Sequence, residues 1–246
     1  TRSLEEAHRE LDTFLYRASH DLRSPVCSII GLCNLASYFS TGEAKELMNK
    51  VADTTTGMDR LLKKLSLISE INQPVNFGPL TLSDTIEKVR DEFSHVIRSQ
   101  RISFVVNCSP DLVINTYQNI VEAILTNLLE NAFFYSVMKN TGAPLVELTV
   151  ATVNNQLEIR VYDNGIGIDQ KISDKLFAMF FKGNVYSKGN GLGLYIVQKA
   201  VEALDGEVSM ESDAGHYTQF VVVFPLRPAD TSGSKEPETA EVLMQH

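Results

Sequence analysis

Two long apolar stripes at helical spacing in the first seventy residues constrain this chain more than any other feature. Between Leu4 and Cys33, apolar residues recur at steps of three and four, which predicts one long amphipathic helix. After a break at residues 39–42, a second stripe steps alternately by four and three, the heptad pattern of helices that pack along each other. Its members are Leu47, Val51, Thr54, Met58, Leu61, Leu65 and Ile68. Because Pro74 cannot continue a helix, we expect residues 1–73 to form an antiparallel, all-α helical hairpin.

A single hairpin cannot hide both stripes from water. We therefore expect two chains to combine their hairpins in a four-helix bundle, which makes the protein a homodimer. The apolar periodicity is already established at Leu4, and the first residue is Thr1. This start favours a helix that continues upstream in a longer protein.

Residues 74–228 have a mixed pattern, in which strands and helices follow each other without regular alternation. This order predicts an α+β two-layer sandwich, with helices on one face of a mixed sheet. Ser83 is expected to cap a helix to about residue 100, and Asn115 or Thr116 a helix to about residue 135. A third helix is predicted at 192–204, and strands at 102–106, 112–114, 146–153, 157–162, 207–210 and 218–224. Residues 229–246 contain little apolar content and are expected to form a flexible tail.

The composition excludes several classes of protein. The chain has 22 Lys and Arg against 31 Asp and Glu, and a net charge of −9 argues against a nucleic-acid-binding surface. The three cysteines are too few and too scattered for a disulfide framework or a zinc site. Without a long apolar run or a secretion leader in the sequence, we expect a cytoplasmic location, and the sequence leaves open whether a longer protein that contains this chain is attached to a membrane.

His20 is the first candidate functional residue. It lies roughly 200° around the predicted helix from Ala18 and from Leu22, and therefore faces solvent. The neighbouring Asp21 can hydrogen-bond one ring nitrogen and leave the other as a nucleophile. Pro25 within the helix should bend it beside His20. The alternative is an ordinary surface histidine.

Three further motifs lie in the second domain. Asn127 and Asn131 share one helix face, where their amides suit Mg²⁺ or phosphate, although asparagines on a solvated face are the ordinary alternative. Asp163 ends a strand before a glycine-containing turn, where its carboxylate can accept a hydrogen bond from an adenine amino group. Residues 189–194 carry three glycines at a helix start, which offers backbone N–H groups to phosphate.

In this order the motifs resemble those of the sensor histidine kinases of two-component signalling. The resemblance covers about residues 4–226 and implies a dimerisation and histidine-phosphotransfer hairpin followed by an ATP-binding catalytic domain. The matching segments are 20–25 (H box), 127–131 (N box), 163–167 and 189–194 (glycine boxes), 177–182 (F box) and Thr218 of the late glycine box.

The resemblance also implies roles for individual residues. His20 would accept the γ-phosphoryl group of ATP, with Asp21 as general base and Arg23 beside them, while Asn131 would hold Mg²⁺. The implied ATP-binding residues are Asn127, Asn131, Tyr135, Asp163, Gly165, Gly167, Lys182, Gly189, Gly191, Leu192, Gly193 and Thr218. The implied partners are a second copy of the chain and a response-regulator receiver domain, with an upstream sensor domain missing from this chain.

The sequence departs from the family's pattern at three places. Phe134 stands where the family often has Lys, so one phosphate-neutralising cation is missing, and we expect Lys182 to replace it in preference to Lys139 or Lys188. Ser24 stands where Thr or Asn usually supports dephosphorylation of the partner, and is the candidate residue for any phosphatase activity. The lid at residues 183–188 is short.

Two other classes of function stay open. ATPases that share this fold resemble each other in placing a Glu four residues before the Mg²⁺-binding Asn, whereas this chain has Asn127 there. A dimeric scaffold that binds ATP without transferring phosphate is the second alternative, and Phe134 keeps it open.

Overall fold

The N-terminal part of the protein is a helical hairpin. The computed structural model describes residues 22–39, 41–139, 142–183 and 190–227. Helix α1 spans residues 22–39, and α2 spans Glu43–Asn72 after a turn at Gly42, whose positive φ of 61° suits glycine. The predicted break between the helices and the predicted end before Pro74 are therefore confirmed.

The hairpin buries one set of residues and exposes another. Val26, Cys33 and Leu62 are buried, and the Arg23 guanidinium donates a hydrogen bond to Ser66 Oγ across the two helices at 3.2 Å. Leu47, Val51 and Met58 of the heptad stripe are about half exposed in the single chain. Exposed apolar side chains at heptad positions fit the expected pairing of two hairpins, which stays a prediction.

The second part is built on a five-stranded mixed sheet. The strands of this sheet are β2 Ser103–Cys108, β4 Leu145–Val153, β5 Gln156–Asp163, β6 Glu207–Asp213 and β7 Tyr217–Pro225. Their order in the sheet is β2-β4-β5-β7-β6, where β2 is parallel to β4 and the other neighbours are antiparallel. Helices α5 (Gln118–Ser136) and α6 (Gly193–Ala203) pack against the sheet.

Alternating residues of the sheet form the core with these helices. Leu148, Ile159 and Val222 are fully buried on three adjacent strands, and Leu128 and Val197 are fully buried on the two helices. Their neighbours along each strand are more exposed, so one face of the sheet carries the core. The predicted α+β sandwich is confirmed.

Two predicted helix starts are wrong. The helix assigned to a Ser83 cap begins at Leu82 and divides at Phe93 into α3 (Leu82–Glu92) and α4 (Ser94–Ser99). The Ser83 hydroxyl instead donates to the Pro110 carbonyl at 2.9 Å.

The second error concerns Asn115 and Thr116. Both belong to strand β3 (Val113–Tyr117), which pairs with β1 (Phe77–Thr81), so α5 begins only at Gln118. The two residues predicted to cap the helix therefore lie in a paired strand instead.

The end of α2 is packed against the second part of the protein. Ile68 and Ile71 are buried in the same apolar core as α5 and α6. This packing fixes the last turns of the hairpin relative to the sheet sandwich. Within the described ranges, the helices are too short or too polar to cross a membrane.

Candidate nucleotide-binding site

A cavity of about 1030 Å³ opens between α5, the start of α6 and the loops that follow β5 and β6. Its volume is at the upper end of the range for small-molecule sites. Eight of the twelve residues predicted to bind ATP line it: Asn131, Tyr135, Asp163, Gly167, Lys182, Gly191, Gly193 and Thr218. The structure therefore brings together residues that lie up to 87 positions apart in the sequence.

The other four predicted residues are placed differently. Gly165 and Leu192 do not line the cavity, and Leu192 is fully buried. Asn127 is buried, with its Oδ1 3.3 Å from the position that a Cβ on Gly193 would take, and Gly189 lies outside the described residues.

Asp163 forms the polar floor of the cavity together with Thr218. The two residues are directly opposite each other on β5 and β7, and each is only 4% exposed. Burial raises the pKa of Asp163 to about 7, although the hydrogen bond that its Oδ1 accepts from the Gly165 N–H opposes this rise. A buried carboxylate beside a hydroxyl is suited to accept a hydrogen bond from an amino group of a flat apolar ring.

The turn after Asp163 requires glycine. A Cβ on Gly165 would lie 2.6 Å from Asp163 Oδ1 and would also collide with the Tyr135 carbonyl. The loop therefore passes directly against the last turn of α5. This close approach holds the Asp163 carboxylate in one position.

The N-terminus of α6 faces the cavity at its other end. Gly193 is the first residue of this helix and lines the cavity, so unpaired N–H groups and the positive end of the helix dipole are available to an anion. Gly191 has a φ of 70°, and a Cβ there would lie 2.6 Å from the carbonyl carbon of Phe180. The segment resembling the F box thus packs directly on the glycine turn.

The two asparagines of α5 have different surroundings. Asn131 lines the cavity, and its side chain lies 3.9 Å from the position that a Cβ on Gly193 would take. Asn127 is buried, and its Nδ2 donates to the Ala123 carbonyl at 2.8 Å. Its Oδ1 has no hydrogen-bond partner among the described residues. The Asn131 amide at the cavity fits a hydrated Mg²⁺, which keeps several waters and takes few protein ligands.

Cations around the cavity include two that the sequence motifs do not indicate. Lys182 is exposed and lines the cavity, and Phe134 lines it as well. Lys139 instead donates a hydrogen bond to the His216 carbonyl at 3.2 Å, and Lys188 lies outside the described residues. Arg60 and Lys64 of α2 also line the cavity. They were missed because nothing in a heptad pattern shows which helix face will meet another domain.

The residues of the first motif are only partly described. His20 and Asp21 lie outside the described residues, so their roles stay predictions. Arg23 is half-buried and contacts Ser66, and Ser24 is exposed on α1. Pro25 lies within α1, which continues past it.

Comparison with known proteins places this site in a family. Residues 116–228 match the family described as histidine kinase-, DNA gyrase B-, and HSP90-like ATPase. The sensor histidine kinase AtsR of Burkholderia thailandensis is 30% identical over 225 residues, which cover 87% of this chain and 37% of AtsR. The sensor histidine kinase RcsC of Escherichia coli K12 is 28% identical over 256 residues, 96% of this chain and 26% of RcsC.

Solved structures agree on the fold. The crystal structure of full-length ShkA in complex with AMPPNP has a TM-score of 0.72 and 20% identity, and the match covers 88% of this chain and 46% of that chain. The fold and the cavity therefore define a nucleotide-binding domain of the histidine kinase and gyrase type. The chain belongs to the two-component sensor histidine kinases, as their catalytic core, and spans well under half the length of the two curated relatives.

Proposed function

We propose that this protein binds ATP with Mg²⁺, phosphorylates itself on His20 and passes the phosphoryl group to an aspartate of a response regulator. The observation that carries this proposal is the convergence of Asp163, Asn131 and Gly193 in one cavity. Asp163 would accept a hydrogen bond from the adenine amino group, and the α6 N-terminus would bind the phosphates. Because ATP is a cytoplasmic substrate, this core would work in the cytoplasm.

Each part of the chain has its own role in the proposal. Residues 1–73 form the dimerisation and phosphotransfer hairpin, residues 74–228 the ATP-binding domain, and residues 229–246 a tail. Two hairpins combine in a four-helix bundle, which covers the exposed heptad positions Leu47, Val51 and Met58. A sensor domain would belong to a longer protein that contains this chain.

The proposed transfer has a simple balance of bonds and protons. A ring nitrogen of His20 forms a bond to the γ-phosphorus while the bond from that phosphorus to the β–γ bridging oxygen breaks, and ADP leaves. Asp21 takes the proton from the other ring nitrogen. Asn131 would hold Mg²⁺, which offsets the charge on the phosphates, and the α6 N–H groups would orient them. Such transfers depend chiefly on positioning and charge neutralisation.

Residue 127 cannot act as the base that activates water for ATP hydrolysis. The hydrolases of this fold have a Glu at that position, whereas Asn127 is buried and its side-chain NH₂ donates a hydrogen bond to the Ala123 carbonyl. An amide cannot accept a proton from water at neutral pH.

Incubation with ATP labelled at the γ-phosphate tests the proposal. Kinase activity predicts an acid-labile label on the protein that moves to one member of a panel of receiver domains. Release of free phosphate without labelled protein would indicate a hydrolase, and neither product would indicate a scaffold. Either of these two results contradicts the proposal.

A further inference from the structure

Two basic residues of the hairpin lie in the nucleotide cavity, where the family motifs place none. Arg60 and Lys64 are one turn apart on α2, and both line the cavity between α5 and α6. The Lys64 side chain is 26% exposed, and its Nζ forms an ion pair with Glu130 Oε2 at 2.6 Å. We infer that Lys64 is a phosphate-binding residue of the nucleotide site, so that ATP is held by the hairpin as well as by the catalytic domain. This inference rests on the proposed function.

The position of Lys64 is fixed by packing on both sides of it along α2. Leu61 and Leu65 pack against the core of the catalytic domain, and Ile68 and Ile71 are buried within it. A lysine on an unpacked helix would spread its ammonium group over many positions and lose side-chain entropy on binding. Lys64 instead extends from a docked segment, so less of that entropy remains to be lost.

Helix α5 shows at which end of the cavity Lys64 lies. Glu130, the partner of Lys64, is next to Asn131, whose amide lies beside Gly193 at the start of α6. Tyr135 is one turn further along α5, where its carbonyl meets the loop that holds Asp163. One turn of helix advances about 5.4 Å. Lys64 is therefore at the end of the cavity where the phosphates would lie, away from the Asp163 end.

The charges at the site favour a Lys64 ammonium group that leaves Glu130 and pairs with a phosphate when ATP binds. ATP carries about four negative charges, of which Mg²⁺ offsets two, so the phosphates need a protein cation. Phe134 stands where the family often has lysine. The Glu130 side chain is 43% exposed and stays solvated when Lys64 moves, and an ion pair this exposed contributes little by itself.

Calorimetric titration of the whole chain with ATP and with adenosine, in the presence of Mg²⁺, tests the inference. Lys64→Ala is expected to weaken ATP binding about tenfold while adenosine binding stays within about twofold of the parent protein, because a charged hydrogen bond to phosphate is lost. Lys64→Arg should restore most of the ATP affinity. Lys63→Ala is the matched control, because Lys63 is 64% exposed and pairs with Asp59 on the same helix.

The other outcomes overturn the inference in distinct ways. Equal ATP affinity in Lys64→Ala and the parent protein shows that Lys64 does not bind phosphate. If Lys64→Ala and Glu130→Gln both weaken ATP and adenosine equally, the ion pair only holds the two domains together. A parent protein that binds no ATP overturns the proposed function itself, and this inference with it.

Discussion

Asp163→Asn tests the physical account of the cavity floor, because it removes a buried charge and changes little else. An asparagine Oδ1 can still accept the hydrogen bond that Asp163 receives from the Gly165 N–H at 2.9 Å. Asp163 itself is 4% exposed, and burial raises its pKa from the ordinary value of 3.8 to about 7. The substitution therefore isolates the cost of holding a carboxylate in this position.

The linkage between protonation and folding gives the sign and the size of the effect. Below about pH 4 the group is protonated in both the folded and the unfolded chain, and it costs no stability. As the pH rises towards 7 the unfolded chain loses its proton first, so stability is lost progressively. At 1.36 kcal/mol for each pKa unit, the rise from 3.8 to about 7 corresponds to about 4 kcal/mol above pH 7.

Denaturant unfolding of the ligand-free protein between pH 5 and pH 8.5 measures this effect. Asp163→Asn should be more stable than the parent protein at pH 8, by up to about 4 kcal/mol, and this advantage should shrink as the pH falls to 5. Its ATP affinity should nevertheless be lower, because an amide NH₂ cannot accept a hydrogen bond from the adenine amino group. Asp111→Asn, in an exposed turn, is the control and should show no such trend. A variant less stable than the parent at pH 8, or an advantage independent of pH, would show that the buried Asp163 carboxylate does not destabilise the fold.

Three further substitutions test the other parts of the site. Lys182→Ala should slow single-turnover phosphorylation at saturating ATP about tenfold or more, roughly 1.4 kcal/mol, while Lys139→Ala costs much less, and equal rates would show that Lys182 is not the cation that stabilises the transition state. Asn131→Ala should abolish Mg²⁺-dependent ATP binding in calorimetry and leave the dimer intact in light scattering, so unchanged binding rejects it as the metal ligand. Gly165→Ala should destabilise the protein by about 2 kcal/mol or more in denaturant unfolding, because its Cβ meets backbone, whereas Gly78→Ala meets open space and stays near the parent. Similar stabilities for the two glycine variants would contradict the close packing at Gly165.

The sequence predicted the elements whose apolar pattern has a single explanation. Strand β5 was recognised because Leu157, Ile159 and Val161 alternate cleanly, and α2 was recognised from its heptad steps. The predicted helix boundaries were wrong where pairing with a residue distant in the sequence determines the local structure. Thr116 has the chemistry of a helix cap, but pairing with Gly78 of β1 places it in a strand.

The site was predictable to the extent that its residues lie in local motifs. Asp163 and Gly193 were located by their turn and helix start, without knowledge of the sheet. Asn127 was expected beside the phosphates from its place in the segment that resembles the N box. Packing of α6 on α5 brings Gly193 against its side chain, and its role at the phosphates stays a prediction. Lys64 carries no local signal, since its place in the cavity depends on how α2 docks.

We propose above that His20 receives the phosphoryl group from ATP held in the cavity of the second domain. The most direct measurement compares the parent protein, His20→Gln and the control His95→Gln, which changes an exposed histidine of α4. Each is incubated with γ-labelled ATP, and its ATP affinity is measured by calorimetry. We expect an acid-labile label on the parent and on His95→Gln, and none on His20→Gln, whose ATP affinity stays within a few-fold of the parent. A label that survives His20→Gln, or one that is stable to acid, would contradict it.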